Sequence, residues 1–124
     1  MRVIVTGSRD WPEPGRVYAA LEAVYREATQ KRQRLVVVHG ACPTGADAHA
    51  HEWVLMARFD GMAVDEEMFP AHWREGPAAG PHRNARMVAA GADRVLAFHK
   101  DNSRGTASTI RYAREAGIHV DIQA

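Results

Sequence analysis

Five short apolar runs alternate along the chain with longer stretches in which apolar residues recur every three or four positions. Residues 2–6, 35–39 and 95–98 are almost continuously apolar and end at polar residues, the pattern of strands covered on both faces. Between them, Val17, Leu21, Val24 and Ala28 mark one face of a helix over 15–30, and Ala46, Ala50, Trp53, Val54 and Ala57 mark a second helix. A third helix is expected over 82–90, closed by Gly91, and a fourth from Gly105 to Gly117 through Ala107, Ile110 and Ala113. Residues 62–69 mix apolar positions with Asp65, Glu66 and Glu67, as an edge strand blunted by carboxylates does. Residues 118–122 alternate apolar with polar and form the opposite edge. The stretch 70–81, with Gly76, Pro77 and Gly80, reads as a long loop of the kind that carries function.

Strand and helix thus alternate five times. The pattern predicts a doubly wound α/β, Rossmann-like parallel sheet of order 3-2-1-4-5, with helices on both faces and the three most apolar strands inside. In that order the chain reverses direction between strands 1 and 4. A ligand crevice is expected at their carboxyl ends.

The chain has 124 residues and a formal charge of +1, with basic and acidic residues interspersed. That fits a single domain over 1–124 and gives no basic arm or stripe for duplex nucleic acid. The one cysteine, Cys42, has no disulfide partner, and neither a signal peptide nor an apolar stretch of membrane length is present, so a cytoplasmic protein without a membrane partner is expected.

Three strand ends open into polar, glycine-containing loops: Gly7-Ser8-Arg9-Asp10-Trp11, Gly40 to Asp47, and His99 to Thr106. Where a helix starts just after a strand, free backbone N–H groups and the positive end of the helix dipole favour an anion. Ser103, Arg104, Gly105 and Thr106 are read as such a site. In the second loop Gly40 permits a sharp turn, Thr44 caps the helix, and Gly45 lets a ligand approach the backbone. Arg83, with Asn84 beside it in the first turn of the third helix, is placed to clamp a phosphate with two bonds.

The segments Val5-Thr6-Gly7-Ser8-Arg9, Gly40-Ala41-Cys42-Pro43-Thr44-Gly45-Ala46-Asp47, Arg83-Asn84-Ala85-Arg86-Met87 and Ser103-Arg104-Gly105-Thr106 occur here in this order. With them, from about Arg2 to Val120, the chain resembles the YspA/YpsA-related SLOG family. This is a Rossmann-like branch of the superfamily that also holds the Lonely Guy phosphoribohydrolases and the DNA-processing protein DprA. The resemblance implies a nucleotide or nucleotide-derived ligand with its phosphates toward Gly105 and Thr106. It places sugar and base between the first three loops, and it implies a homodimer. Gly7, Ser8, Arg9, Gly40, Thr44, Gly45, Asp47, Arg83, Asn84, Ser103, Arg104, Gly105 and Thr106 are the ligand-binding set it suggests, with no further cofactor. Lonely Guy enzymes carry Pro-Gly-Gly-x-Gly-Thr-x-x-Glu at the fourth loop. Here Asp101-Asn102-Ser103 replaces the Pro-Gly-Gly, and Thr109 stands where the glutamate would be.

A carboxylate stabilises the oxocarbenium-like state of glycosidic cleavage and activates the attacking water, which a threonine does far less well. The expectation is therefore a sensor or binding module. A phosphoribohydrolase is the alternative, with Arg83 the candidate catalytic residue and Asp10, Asp47 or Asp101 a displaced acid; Asp47 otherwise suits a ribose hydroxyl. Single-stranded DNA binding, as in DprA, is a third reading that the near-neutral charge disfavours.

His39, His72, His82 and His99 all fall at or beyond strand ends, but their spacing carries no zinc signature, and His49 and His51 diverge on their helix; no metal is expected. Cys42 lacks the acid-oriented base a nucleophilic thiol needs. Trp11 and Trp73 fall in polar loops, suited equally to stacking on a base or to packing, whereas Trp53 faces the core. Gly7 to Pro12 lacks the second and third glycines of a dinucleotide fingerprint, which excludes an ordinary dehydrogenase.

Overall fold

A computed structural model of the chain describes residues 1–100 and 103–123. The elements are β1 (Arg2–Gly7), α1 (Pro14–Gln30), β2 (Leu35–His39), α2 (Gly45–Phe59), β3 (Val64–Met68), a 3₁₀ turn (Trp73–Glu75), α3 (Ala79–Ala89), β4 (Arg94–Phe98), α4 (Arg104–Glu115) and β5 (His119–Gln123). All four strand pairings are parallel and the order is β3-β2-β1-β4-β5, as the hydrophobic pattern predicts.

Successive residues of a strand face opposite sides, so each central strand feeds two cores. Val3, Val5, Val37, Leu96 and Phe98 pack beneath α1 and α2 with Val17, Leu21, Ala50, Trp53 and Val54. Ile4, Val38 and Val95 pack beneath α3 and α4 with Met87, Val88 and Ala113. A continuously apolar strand is the consequence of this double cover.

Most boundaries differ from the sequence pattern by one or two residues, β3 being Val64–Met68 within the expected 62–69. β5 runs one residue later than expected, and α3 begins at Ala79, three residues before the expected start at His82. Pro81 reads as a breaker, yet it falls in the first turn of α3, where the backbone N–H has no partner within the helix, so its missing donor costs nothing.

The edge strand β3 tolerates three consecutive acids because each has a partner. Asp65 takes two bonds from Arg34 at 2.8 and 3.1 Å, and Glu67 pairs with Arg2. Glu66 does not point to solvent as a blunting carboxylate would; its side chain is only 8% exposed. Its Oε2 accepts bonds from His39 of β2 at 2.8 Å and His51 of α2 at 2.7 Å, tying three elements together.

Candidate functional site

The carboxyl ends of β1, β2 and β4 open into one cleft of about 1050 Å³, walled by the loops after these strands, the 70–77 connector and the start of α3. Of the thirteen residues predicted for ligand binding, all but Gly45 and Thr106 line it.

Ser8 (2% exposed) is the hub of the first loop. Its hydroxyl donates to the Lys100 carbonyl and accepts the Lys100 N–H, while its own carbonyl accepts N–H groups from Trp11 and Ala46. Ser8 therefore clamps the β1 and β4 loops together. Gly7 leaves room for Ala46, since a Cβ there would collide with the Ala46 methyl and sit 2.9 Å from the Phe98 carbonyl oxygen.

The second loop corrects three expectations. Gly40 is not the sharp-turn residue; the left-handed conformation belongs to Ala41, with φ +58. Gly40 is small because a Cβ would strike the Arg83 guanidinium and lie 3.1 Å from Asp47 Oδ2. Gly45, at φ +72, admits the protein's own first loop rather than a ligand, for a Cβ there would run into the backbone of Ser8 and Arg9. Thr44 makes no side-chain cap bond. The loop is held instead by Asp47, whose Oδ2 accepts the Cys42 N–H at 3.3 Å, and by His39, whose Nδ1 accepts the Ala41 N–H at 3.0 Å.

Arg83 is the tie between loops. Its Nη1 donates to the Gly40 carbonyl at 2.6 Å and to the Phe69 carbonyl at 3.3 Å, and its Nε donates to Asn84 Oδ1 at 2.7 Å. Asn84, buried, passes the connection to α4 by donating to the Gly105 carbonyl at 3.2 Å. Two of the three guanidinium nitrogens expected to clamp a phosphate are thus spent on the protein. Burial lowers the Arg83 pKa, as do the nearby charges of Arg9 and Arg86, while Asp47 opposes them.

Asp47 is pushed the other way. Burial raises its pKa above the ordinary carboxylate value, against the pull of His39, the Cys42 and Gly40 amides and Arg83. A raised carboxyl binds a proton more tightly folded than unfolded, so Asp47 lowers stability as pH climbs through its ordinary pKa toward the raised one. Asp47→Asn removes that dependence: its stability advantage over the wild type grows between pH 4 and pH 8, read from urea midpoints. A constant difference across that range rules out the burial effect.

The junctions at α2 and α4 look alike in sequence and differ in the fold. At α2 the Ala46 N–H is taken by the Ser8 carbonyl at 3.3 Å. At α4 no described residue accepts from the amides of Arg104, Gly105 or Thr106, and a Cβ on Gly105 would meet nothing within 4 Å. Arg104 is exposed on the cleft wall, and Lys100 Nζ reaches Asp10 at 3.2 Å. Thr106 is buried with its hydroxyl turned to Ser103 Oγ at 3.3 Å. Thr109 is fully buried and bonded to the Gly105 carbonyl, so the position aligned with the Lonely Guy glutamate faces the protein interior. Asp101 and Asn102 lie outside the described residues.

None of His39, His72, His82 and His99 lines the cleft. His39, His51 and Glu66 do bring potential ligand atoms within 4.8 Å of one another. The Ala41 N–H on His39 Nδ1 leaves the ring proton on Nε2, facing Glu66. A metal ion would need that nitrogen bare while the other faces a donor, so the group suits a hydrogen-bonded clamp. The pairing was invisible in sequence because its three members come from three elements.

Trp11 belongs to the core, edge-on to Phe98 at 5.5 Å with its Nε1 bonded to the Glu13 carbonyl at 3.0 Å. Trp73 lines the cleft, and with it Pro70, Ala71 and Pro77 from the connector, residues that only the unusual length of that loop had signalled.

A parallel 3-2-1-4-5 sheet with a cleft across the β1–β4 reversal defines a Rossmann-like α/β protein. This chain belongs to the YspA, cpYpsA-related SLOG family, whose family model matches residues 1–76. It is also 42% identical over 120 residues to the Gene 61 protein of Mycobacterium phage D29, covering 96% of this chain and 93% of that one. The second match spans Arg83 and the α4 junction, which lie beyond the first.

Proposed function

We propose that the protein binds a nucleotide or nucleotide-derived ligand in this cleft, as a sensor or binding module. The observation that carries the reading is a charge excess beside helix-start amides that no described residue takes up. Among the described residues, Arg9, Arg83, Lys100 and Arg104 line the cleft against Asp10 and Asp47, and burial raises the pKa of Asp47. The α4 amides, which no described residue takes up, add the donors and dipole that favour a phosphate by roughly 0.3 to 2 kcal/mol. Calorimetric titration with nucleoside 5′-monophosphates, paired with chromatography for released base, tests it: saturable binding with the nucleotide intact is expected, and no binding overturns it.

A phosphoribohydrolase is the second reading, favoured by Asp47 itself. Burial raises the pKa of this carboxyl on the cleft wall, which suits it to donate a proton to a leaving group. Release of base that disappears in Asp47→Asn would establish it. The third reading, single-stranded DNA, receives no support from the distribution of charge, because these four cations gather inside a cleft rather than along a strand-length groove.

The reading extends to a homodimer in the cytoplasm. No helix among the described residues is long and apolar enough to cross a membrane. Leu55, Met56 and Phe59 form an exposed stripe on α2, Phe59 being 92% exposed, and a second copy of the chain would cover it. Sedimentation is expected to show a dimer that Phe59→Glu converts to monomer; a monomeric wild type removes this part.

A further inference from the structure

Trp73 sits in the 3₁₀ turn of the β3–α3 connector, 52% exposed on the cleft wall, while Trp11 and Trp53 are 6% and 3% exposed. An exposed indole on a short turn invites the reading of incidental surface, but this one has a built seat. A Cβ on Gly80 would lie 2.9 Å from Trp73 Cη2, so the ring edge rests on bare α3 backbone. Gly76, at φ +102, closes the turn that presents it.

The Arg9 guanidinium lies over the indole, 5.3 Å from the ring centroid, reaching across from the β1 loop. Arg9 makes no hydrogen bond to any described residue, and its charge acts against that of Arg83. Among the described residues, nothing but the aromatic face holds it there. A cation on an exposed ring is held only weakly, so a flat heterocycle can displace it.

We infer that Trp73 is the stacking platform for the nucleobase: the base takes the indole face that Arg9 covers, and the released guanidinium turns to the ligand's anionic part. This rests on the nucleotide reading above and narrows it to ligands that retain their base, in preference to a sugar phosphate. Stacking of this kind accepts every base, since each has a π-face. Specificity among bases then belongs to other residues of the cleft.

Because the other two tryptophans are buried, a change in long-wavelength emission reports on Trp73. Titration with AMP, GMP, CMP and UMP is expected to quench that emission, whereas ribose 5-phosphate leaves it nearly unchanged even at saturation by calorimetry. Trp73→Ala is expected to weaken the monophosphates about tenfold or more and ribose 5-phosphate less than about twofold. Trp73→Phe keeps a ring and restores most of the affinity. Arg9→Ala weakens both kinds of probe. Equal weakening of both probes by Trp73→Ala, or of neither, overturns the stacking role, and an unchanged Arg9→Ala overturns the exchange. If ribose 5-phosphate binds wild type and no monophosphate does, the inference falls while the anion site stands. If neither binds, the nucleotide reading falls with it.

Discussion

Arg83→Ala is expected to lower the melting temperature by roughly 10 °C and to abolish nucleotide binding, because one side chain holds four segments. Its donors reach carbonyls of the β2 loop at Gly40 and the β3 end at Phe69, and the Asn84 amide that continues to Gly105 of α4. Bonds from a charged donor contribute about 1.5 to 3 kcal/mol each, part of which water restores at an open cleft, leaving a net loss of about 2 to 4 kcal/mol. Asp47 loses one of the charges that oppose the effect of burial at the same time. Arg83→Lys keeps the charge but not the fork and recovers only part of the loss. Thermal denaturation beside calorimetry separates the two effects, and an unchanged melting temperature in Arg83→Ala removes the tie.

Gly45→Ala is expected to destabilise by about 3 kcal/mol or more, against about 1 kcal/mol for Gly61→Ala. The two glycines have nearly the same dihedral, φ +72 and +75, so the backbone penalty on a methyl is shared. They differ in surroundings. At Gly61 a Cβ meets nothing within 4 Å, while at Gly45 it lies 2.6 to 2.7 Å from Arg9 backbone atoms and collides with the Ser8 carbonyl. The difference between the two urea midpoints therefore measures the contact between the β1 loop and α2. Equal shifts mean that loop yields and is not fixed by α2.

Most of the architecture was legible because it rests on period alone. A strand buried on both faces must be apolar throughout, so β1, β2 and β4 announce themselves, and the mixed composition of β3 and the alternation of β5 put those two at the edges. The site was legible in part. The loops were found where glycine follows an apolar run, but a glycine in sequence does not say what fills the space it leaves. At Gly7, Gly40 and Gly45 the space is filled by Ala46, Arg83 and the first loop, whereas at Gly105 no described atom lies within 4 Å of an added Cβ. The start of α3 was misplaced because proline removes a donor, and whether that donor was needed depends on which turn it falls in.

By itself, the sequence determined the strand order and the gathering of three loop tips at one edge of the sheet, because burial enforces hydrophobic periodicity and parallel connections turn one way. Tertiary structure decided which donors remain for a ligand. Ser8 occupies an amide of α2, Arg83 turns inward, and no described residue takes the first amides of α4, since hydrogen-bond partners are assigned by distance in space between residues as far apart as Arg83 and Gly40. The same holds for Glu66, an acid in an edge strand by pattern and a buried acceptor for two histidines by packing.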